Sequence, residues 1–216
     1  MSRFFATFFL IMLIVVWYAY ERNKATRKAQ KKSEQFWERE SIANSTRKKS
    51  MADLTLITIP LEDLPMTPTE DEKLQEYQDF VTFLSKKDII NLTGISNTDL
   101  KLTYGAPNFP YLSECDQNFT DLARTLNQWG SRLLELNRQS DARKVLEFAV
   151  SCRSDVSGTY RMLSSLYVQS KESEKILDLI KTAETLDTLL KDNILAILEK
   201  AYIASGSGFD DIFTDS

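Results

Sequence analysis

The chain of 216 residues contains no histidine, only two cysteines, five prolines and six glycines. Without histidine there is no Ser-His-Asp or Cys-His nucleophilic site and no histidine-containing zinc motif. The few glycines form no phosphate-cradling loop, since Gly206-Ser207-Gly208 followed by Phe209 lacks the P-loop spacing. Acidic pairs do occur, at Asp210-Asp211 and in Glu70-Asp71-Glu72. The first lies in a terminal stretch, and a helix dipole accounts for the second. The inventory argues against an enzyme and implies no catalytic residue, cofactor or metal.

Proline and glycine are also unevenly placed. No proline follows Pro110, and between it and Gly206 the only glycines are Gly130 and Gly158. The distal half is therefore expected to be helical throughout, with helices at about 117–136, 140–153, 157–170, 174–187 and 191–204 and a stop at Gly206.

Charge is missing altogether from Phe4 to Tyr20 (FFATFFLIMLIVVWYAY). As a helix this run spans about 26 Å, near the lower limit for a bilayer core. A transmembrane helix is expected. A cleaved signal peptide is the competing reading, but Arg3 alone would form its basic region, and Trp17, Tyr18 and Tyr20 stand where a peptidase needs small residues. Those aromatics suit a headgroup belt. Arg22, Lys24, Arg27, Lys28, Lys31 and Lys32 follow the run, which orients the amino terminus out and the carboxyl-terminal domain toward the cytoplasm. The opposite topology would export the domain.

The net charge of -4 hides a division. Residues 21–50 hold ten Lys/Arg against four Asp/Glu, whereas residues 51–216 hold sixteen against twenty-seven. A basic segment beside an anionic leaflet and an acidic distal domain disfavour nucleic acid as a partner. Cys115 and Cys152 read as reduced, partly buried thiols. A disulfide between them, at one end of an antiparallel hairpin, would contradict a cytoplasmic placement. Sequons stand at Asn44, Asn91 and Asn118, as a chain this rich in Asn, Ser and Thr produces by chance, and a glycan on any of them would contradict the same placement.

Five segments follow: the membrane helix at 4–20, a basic juxtamembrane helix and linker at 21–50, an extended segment plus one helix and an irregular connection at 51–115, helical repeats with a capping helix at 116–205, and an acidic tail at 206–216. Phe36 and Trp37 are the only aromatic residues of the juxtamembrane helix, and Asn44–Ser50 reads as a flexible break. Leu54–Leu61 alternates and contains Pro60, which suits an edge or groove-lining segment rather than a sheet. Thr67, Pro68 and Glu70 resemble a capping box for a helix reaching Lys86, with Leu74, Tyr77, Phe80, Val81 and Leu84 on one face. Asp88–Glu114 reads as an irregular connection.

In the distal half Trp129-Gly130-x2-Leu133, Ala142-x3-Leu146 and Ala149 return 34 positions later as Leu163-Ser164-x2-Tyr167, Ile176-x3-Ile180 and Ala183. Each position keeps an apolar or small residue. A 34-residue period of two amphipathic helices is the signature of a helix-turn-helix repeat array. At these residues the chain resembles the tetratricopeptide repeat family. Leu126, Trp129, Gly130, Leu133, Ala142, Leu146 and Ala149 match in the first unit, and Tyr160, Leu163, Ser164, Tyr167 and Ala183 in the second. Ile176 replaces an expected alanine, and the terminal proline is absent from both units. Ile194, Ile197, Leu198 and Ala201 resemble the capping helix of such arrays.

The resemblance implies an all-α fold, an α-α superhelix, and a concave face lined by first-helix residues. Here these would be Arg124, Asn127, Ser131, Leu134, Arg161, Ser165, Val168, Leu195, Glu199 and Tyr202. The Lys and Asn that clamp a terminal carboxylate in some members are not reproduced, since Ser131 and Ser165 stand where Asn is wanted. The expected function is a single-pass, membrane-anchored adaptor or scaffold that binds a protein or peptide partner. An exported envelope chaperone and a self-associating structural protein are the alternatives.

Overall fold

The computed structural model describes residues 2–206, apart from the side chains of residues 2–11 and 13–15. Among the described residues there are eight α-helices and no strand. They are α1 Ser2–Ser45, α2 Glu72–Leu84, α3 Asn97–Tyr104, α4 Phe109–Glu135, α5 Gln139–Ser151, α6 Ser157–Ser170, α7 Ser173–Glu184 and α8 Lys191–Ala204, with a 3-10 turn at Ala106–Asn108. The expected all-α class is what the chain adopts. The acidic tail read from the sequence lies, from Ser207 onward, outside the described residues.

The helices fall into two compact units, one of residues 1–49 with 96–109 and one of 50–95 with the chain from Pro110 onward. The polypeptide thus passes between units three times.

In the first unit α1 is one uninterrupted helix of 44 residues, about 66 Å long at 1.5 Å per residue. No proline or glycine interrupts it. The side chains of residues 21–39 are all exposed, around the whole circumference. Local side-chain bonds help to hold this stretch, as where Thr26 Oγ1 donates to the Arg22 carbonyl (2.9 Å) and Gln30 Nε2 to Glu34 (3.2 Å). Phe36 and Trp37 are exposed and meet each other edge-on, 5.3 Å between centroids. Among the described residues no helix is long and apolar enough to cross a membrane. Most side chains of Phe4–Tyr20 lie outside the description.

The end of α1 is gripped by α3. Lys101 Nζ donates to Glu40 (2.6 Å) and to Asn44 Oδ1 (2.8 Å), and Thr98 Oγ1 also donates to Glu40. These contacts hold the Glu40 carboxyl below its usual range, the Lys101 bond contributing most and the Thr98 bond next. The expected flexible break after Asn44 is a correction: the helix ends at Ser45, but the next residues are bonded. Ala106 N donates to the Thr46 carbonyl (3.0 Å) and Lys49 N to the Tyr104 carbonyl (2.9 Å). Gly105, at φ +91°, permits this, since a Cβ there would lie 2.2 Å from the Arg47 carbonyl oxygen.

The stretch 88–114, expected to be irregular, holds α3, the 3-10 turn and the start of α4. Ser96 caps α3 by accepting from Asp99 N (3.2 Å). Pro107 and Pro110 sit in first turns, where a missing N–H leaves no bond unmade. A second correction concerns α2. Its N-cap is Asp71, which accepts from Leu74 N (2.9 Å), not Thr67. Thr67 Oγ1 instead accepts from Arg138 (2.9 Å). Asp71 prevails because it also pairs with Arg132 of α4, and that contact holds its carboxyl below the usual range.

In the second unit two hydrophobic clusters follow one another. The first joins Ile59, Leu64, α2 (Leu74, Val81, Leu84), Ile89, α4 and one face of α5. Within it residues 54–60 form no strand; Ile57 N donates to the Ile89 carbonyl (2.9 Å) and Leu61 N to the Ile59 carbonyl (3.0 Å). The second cluster joins Leu146 and Val150 of α5 to α6, α7 and α8. Helix α5 therefore faces both, as each helix of a stacked pair must when its neighbour completes the core. Gly130 is what lets α4 and α5 close, because a Cβ there would stand 2.6 Å from Leu146 Cδ2.

Short connections make successive helices α4 to α8 antiparallel. Arg143 near the start of α5 binds Glu172 at the start of α7 (2.6 and 2.8 Å), so those two helices run in parallel. It follows that α4, α6 and α8 all end at one pole of the stack.

Candidate partner-binding surface

The first-helix residues singled out by the sequence divide in three. Arg124, Arg161, Ser165 and Glu199 are exposed. Asn127, Ser131, Leu134, Val168 and Leu195 are half-buried, and Leu134 packs against both clusters. Asn127 joins two helices, because its Oδ1 accepts from Thr159 Oγ1 (3.3 Å) and lies where a Cβ on Gly158 would sit, at 2.6 Å. Tyr202 is a correction, since it is 2 % exposed within the second cluster and offers nothing to a partner. A tyrosine at that position of a terminal helix turns inward because α6 and α7 both leave apolar surface for α8 to cover.

Arg124 and Arg161 do not share one groove. Arg124, 3.4 Å from Asp121, borders a depression between α2 and α4 with Tyr77 and Phe80. Arg161 and Ser165 border a separate groove of about 370 Å³ with Leu134, Met162, Leu166, Gln139 and Gln169. Its floor is aliphatic and its rim is made of amides, a hydroxyl and one guanidinium. No carboxylate lines it, and Arg161 has no ion-pair partner among the described residues.

A larger cavity, about 600 Å³, opens on the other side between α5, α6 and α7, over Val150, Leu163 and Leu179. Periodicity hides it, because its polar rim consists of residues that would be solvated on an isolated helix. Glu147, Tyr167 and Lys175 of that rim join an ion-pair set that reaches beyond it, whereas Arg153 has no ion pair among the described residues. Arg143 bridges Glu147 (2.9 Å) and Glu172, and Glu147 also accepts from Tyr167 Oη (2.8 Å). The Arg143 contact, then that of Lys175, pulls the Glu172 carboxyl down to about 2. Burial, then the bond to Glu147, raises the Tyr167 hydroxyl. The Arg143–Glu147–Glu172 set reads as a latch between α5 and α7.

Both cysteines are buried and free. Burial pushes the Cys152 thiol up to about 11 and raises that of Cys115 as well, which keeps them poor nucleophiles. Among the described residues no group of His, Cys, Asp and Glu is arranged to hold a metal. No family model, no curated protein and no solved structure matches this chain.

Proposed function

We propose that this chain is a single-pass, membrane-anchored adaptor whose helical-repeat unit binds a protein or peptide partner. The observation that carries the reading is the Arg161 groove: an aliphatic floor on the first-helix face, with one cation unpaired and no acid in the lining among the described residues. A peptide with an apolar side chain beside a carboxylate suits it. Anchoring would raise effective concentration, so that modest affinity suffices. The anchor is the uncharged run Phe4–Tyr20, and the six basic residues after it orient the repeats toward the cytoplasm.

Two of the three sequon amides donate to backbone carbonyls, which supports the same side of the membrane. Asn91 Nδ2 donates to the carbonyls of Cys152 and Arg153, both at 3.1 Å, and Asn118 Nδ2 donates to that of Asp88 at 2.9 Å. A glycan would replace a hydrogen on those nitrogens and break the Asn91 pair.

A photocrosslinking residue at position 165 of the full chain, compared with one at Lys144 of α5, tests the binding surface in cells. Adducts are expected from position 165, reduced when Arg161→Glu is added. Equal adducts from position 144, or none from 165, would remove the groove from the reading. For topology, Ser165→Cys offers an exposed thiol where the native ones are buried, and an impermeant reagent should reach it only after permeabilisation.

A further inference from the structure

The tail beyond Gly206 reads SGFDDIFTDS: ten residues with three aspartates, two phenylalanines, one isoleucine and no cation. This is the chemistry that the Arg161 groove lacks. Its apolar floor can take an aromatic ring, and an aspartate beside the ring would reach a guanidinium with no ion-pair partner among the described residues. Glu199, the one acid on the predicted face, lies on α8 outside the groove lining.

Geometry brings the two together. Helices α4, α6 and α8 end at one pole, and Leu134, Gln139 and Gln169 place the groove at that pole. Helix α8 packs directly on α6, so its axis is about 10 Å away. Ten residues extend to about 33 Å. The tail thus starts beside the groove with length to spare.

We infer that Phe209–Ser216 occupies the Arg161 groove of its own chain, as a tethered ligand that a partner must displace. The inference rests on the groove being a peptide-binding site, the reading proposed above. A short tether holds the tail at an effective concentration of about 1 mM, so an intrinsic dissociation constant of about 0.1 mM leaves the groove about 90 % filled. Partner binding would then be weakened about ten-fold, which sets a threshold against weak ligands.

The full chain in detergent micelles carrying Ser165→Cys reports occupancy through its rate of alkylation, against little background from the buried native thiols. Replacing Phe209 and Phe213 by alanine should raise that rate about ten-fold, as should Arg161→Glu. A synthetic peptide of residues 207–216 should restore slow alkylation in the alanine variant. The protection should not depend on protein concentration. If the peptide protects the variant but the intact tail does not slow alkylation of its own chain, or does so only on concentration, tethered occupancy is overturned and the peptide-binding groove survives. If neither tail nor peptide changes the rate and position 165 yields no crosslinks in cells, the groove reading falls as well.

Discussion

Gly130 decides how closely α4 and α5 approach. An alanine there gains helix propensity of about 1 kcal/mol, yet its methyl would sit 2.6 Å from the fully buried Leu146. Overpacking of this kind costs about 1–3 kcal/mol, so Gly130→Ala should lower the urea midpoint on balance. Combined with Leu146→Ala, the two changes should be less than additive in a double-mutant cycle. Trp129, next to it, is fully buried with no hydrogen-bond partner for Nε1 among the described residues. Its role is volume. The buried thiols make a second expectation: in the native protein a thiol reagent should find neither Cys115 nor Cys152 on the timescale on which it finds both after unfolding. Rapid reaction of either in native conditions would contradict the packing around α4 and the end of α5.

At the scale of the element, the five distal helices are legible because apolar residues there recur with a helical period and few glycines or prolines interrupt them. The start of α4 is not legible, since Pro107 and Pro110 look like breakers until the chain is seen to place them in first turns. The cap of α2 is hidden for a related reason: Asp71 is chosen by Arg132, 61 residues away, and no local pattern contains that partner. Of the residues assigned to the first-helix face, the exposure of Arg124, Arg161, Ser165 and Glu199 is legible and their partition is not, because α2 takes Arg124 into another depression and the core takes Tyr202. The latch between α5 and α7 is likewise invisible. Glu172 is held there at about 2, below the ordinary value of 4.5. A depressed carboxylate contributes stability that is complete above about pH 4.5 and is lost as pH falls toward about 2. Replacing Glu172 with glutamine should therefore lower stability at pH 7 and flatten its decline over that window, as measured by urea midpoints at several pH values. An unchanged acid limb would show that the ion pair carries no weight.

For the whole molecule, the division into two units sets where the chain can be cut. Removal of residues 1–50 would take away Glu40, Asn44, Thr46 and Lys49, on which α3 and the Gly105 turn are bonded. A truncated chain beginning at Glu38 keeps them. It should show sharper hydrogen-exchange protection across Asn97–Tyr104 than one beginning at Met51, and equal protection in both would deny α1 that supporting role. The continuity of α1 has a further result. From residue 21 to residue 38 its side chains stand in solvent all the way round, so it carries orientation along its axis like a keyed shaft. Inserting one residue between Glu21 and Glu38 would turn the end of α1 and the α3 bonded to it by about 100°, whereas inserting seven would bring them back to within about 20°. If the run Phe4–Tyr20 is the anchor proposed above, crosslinks from α3 to a partner in that bilayer should rise and fall with the helical phase of such insertions, and not with their length.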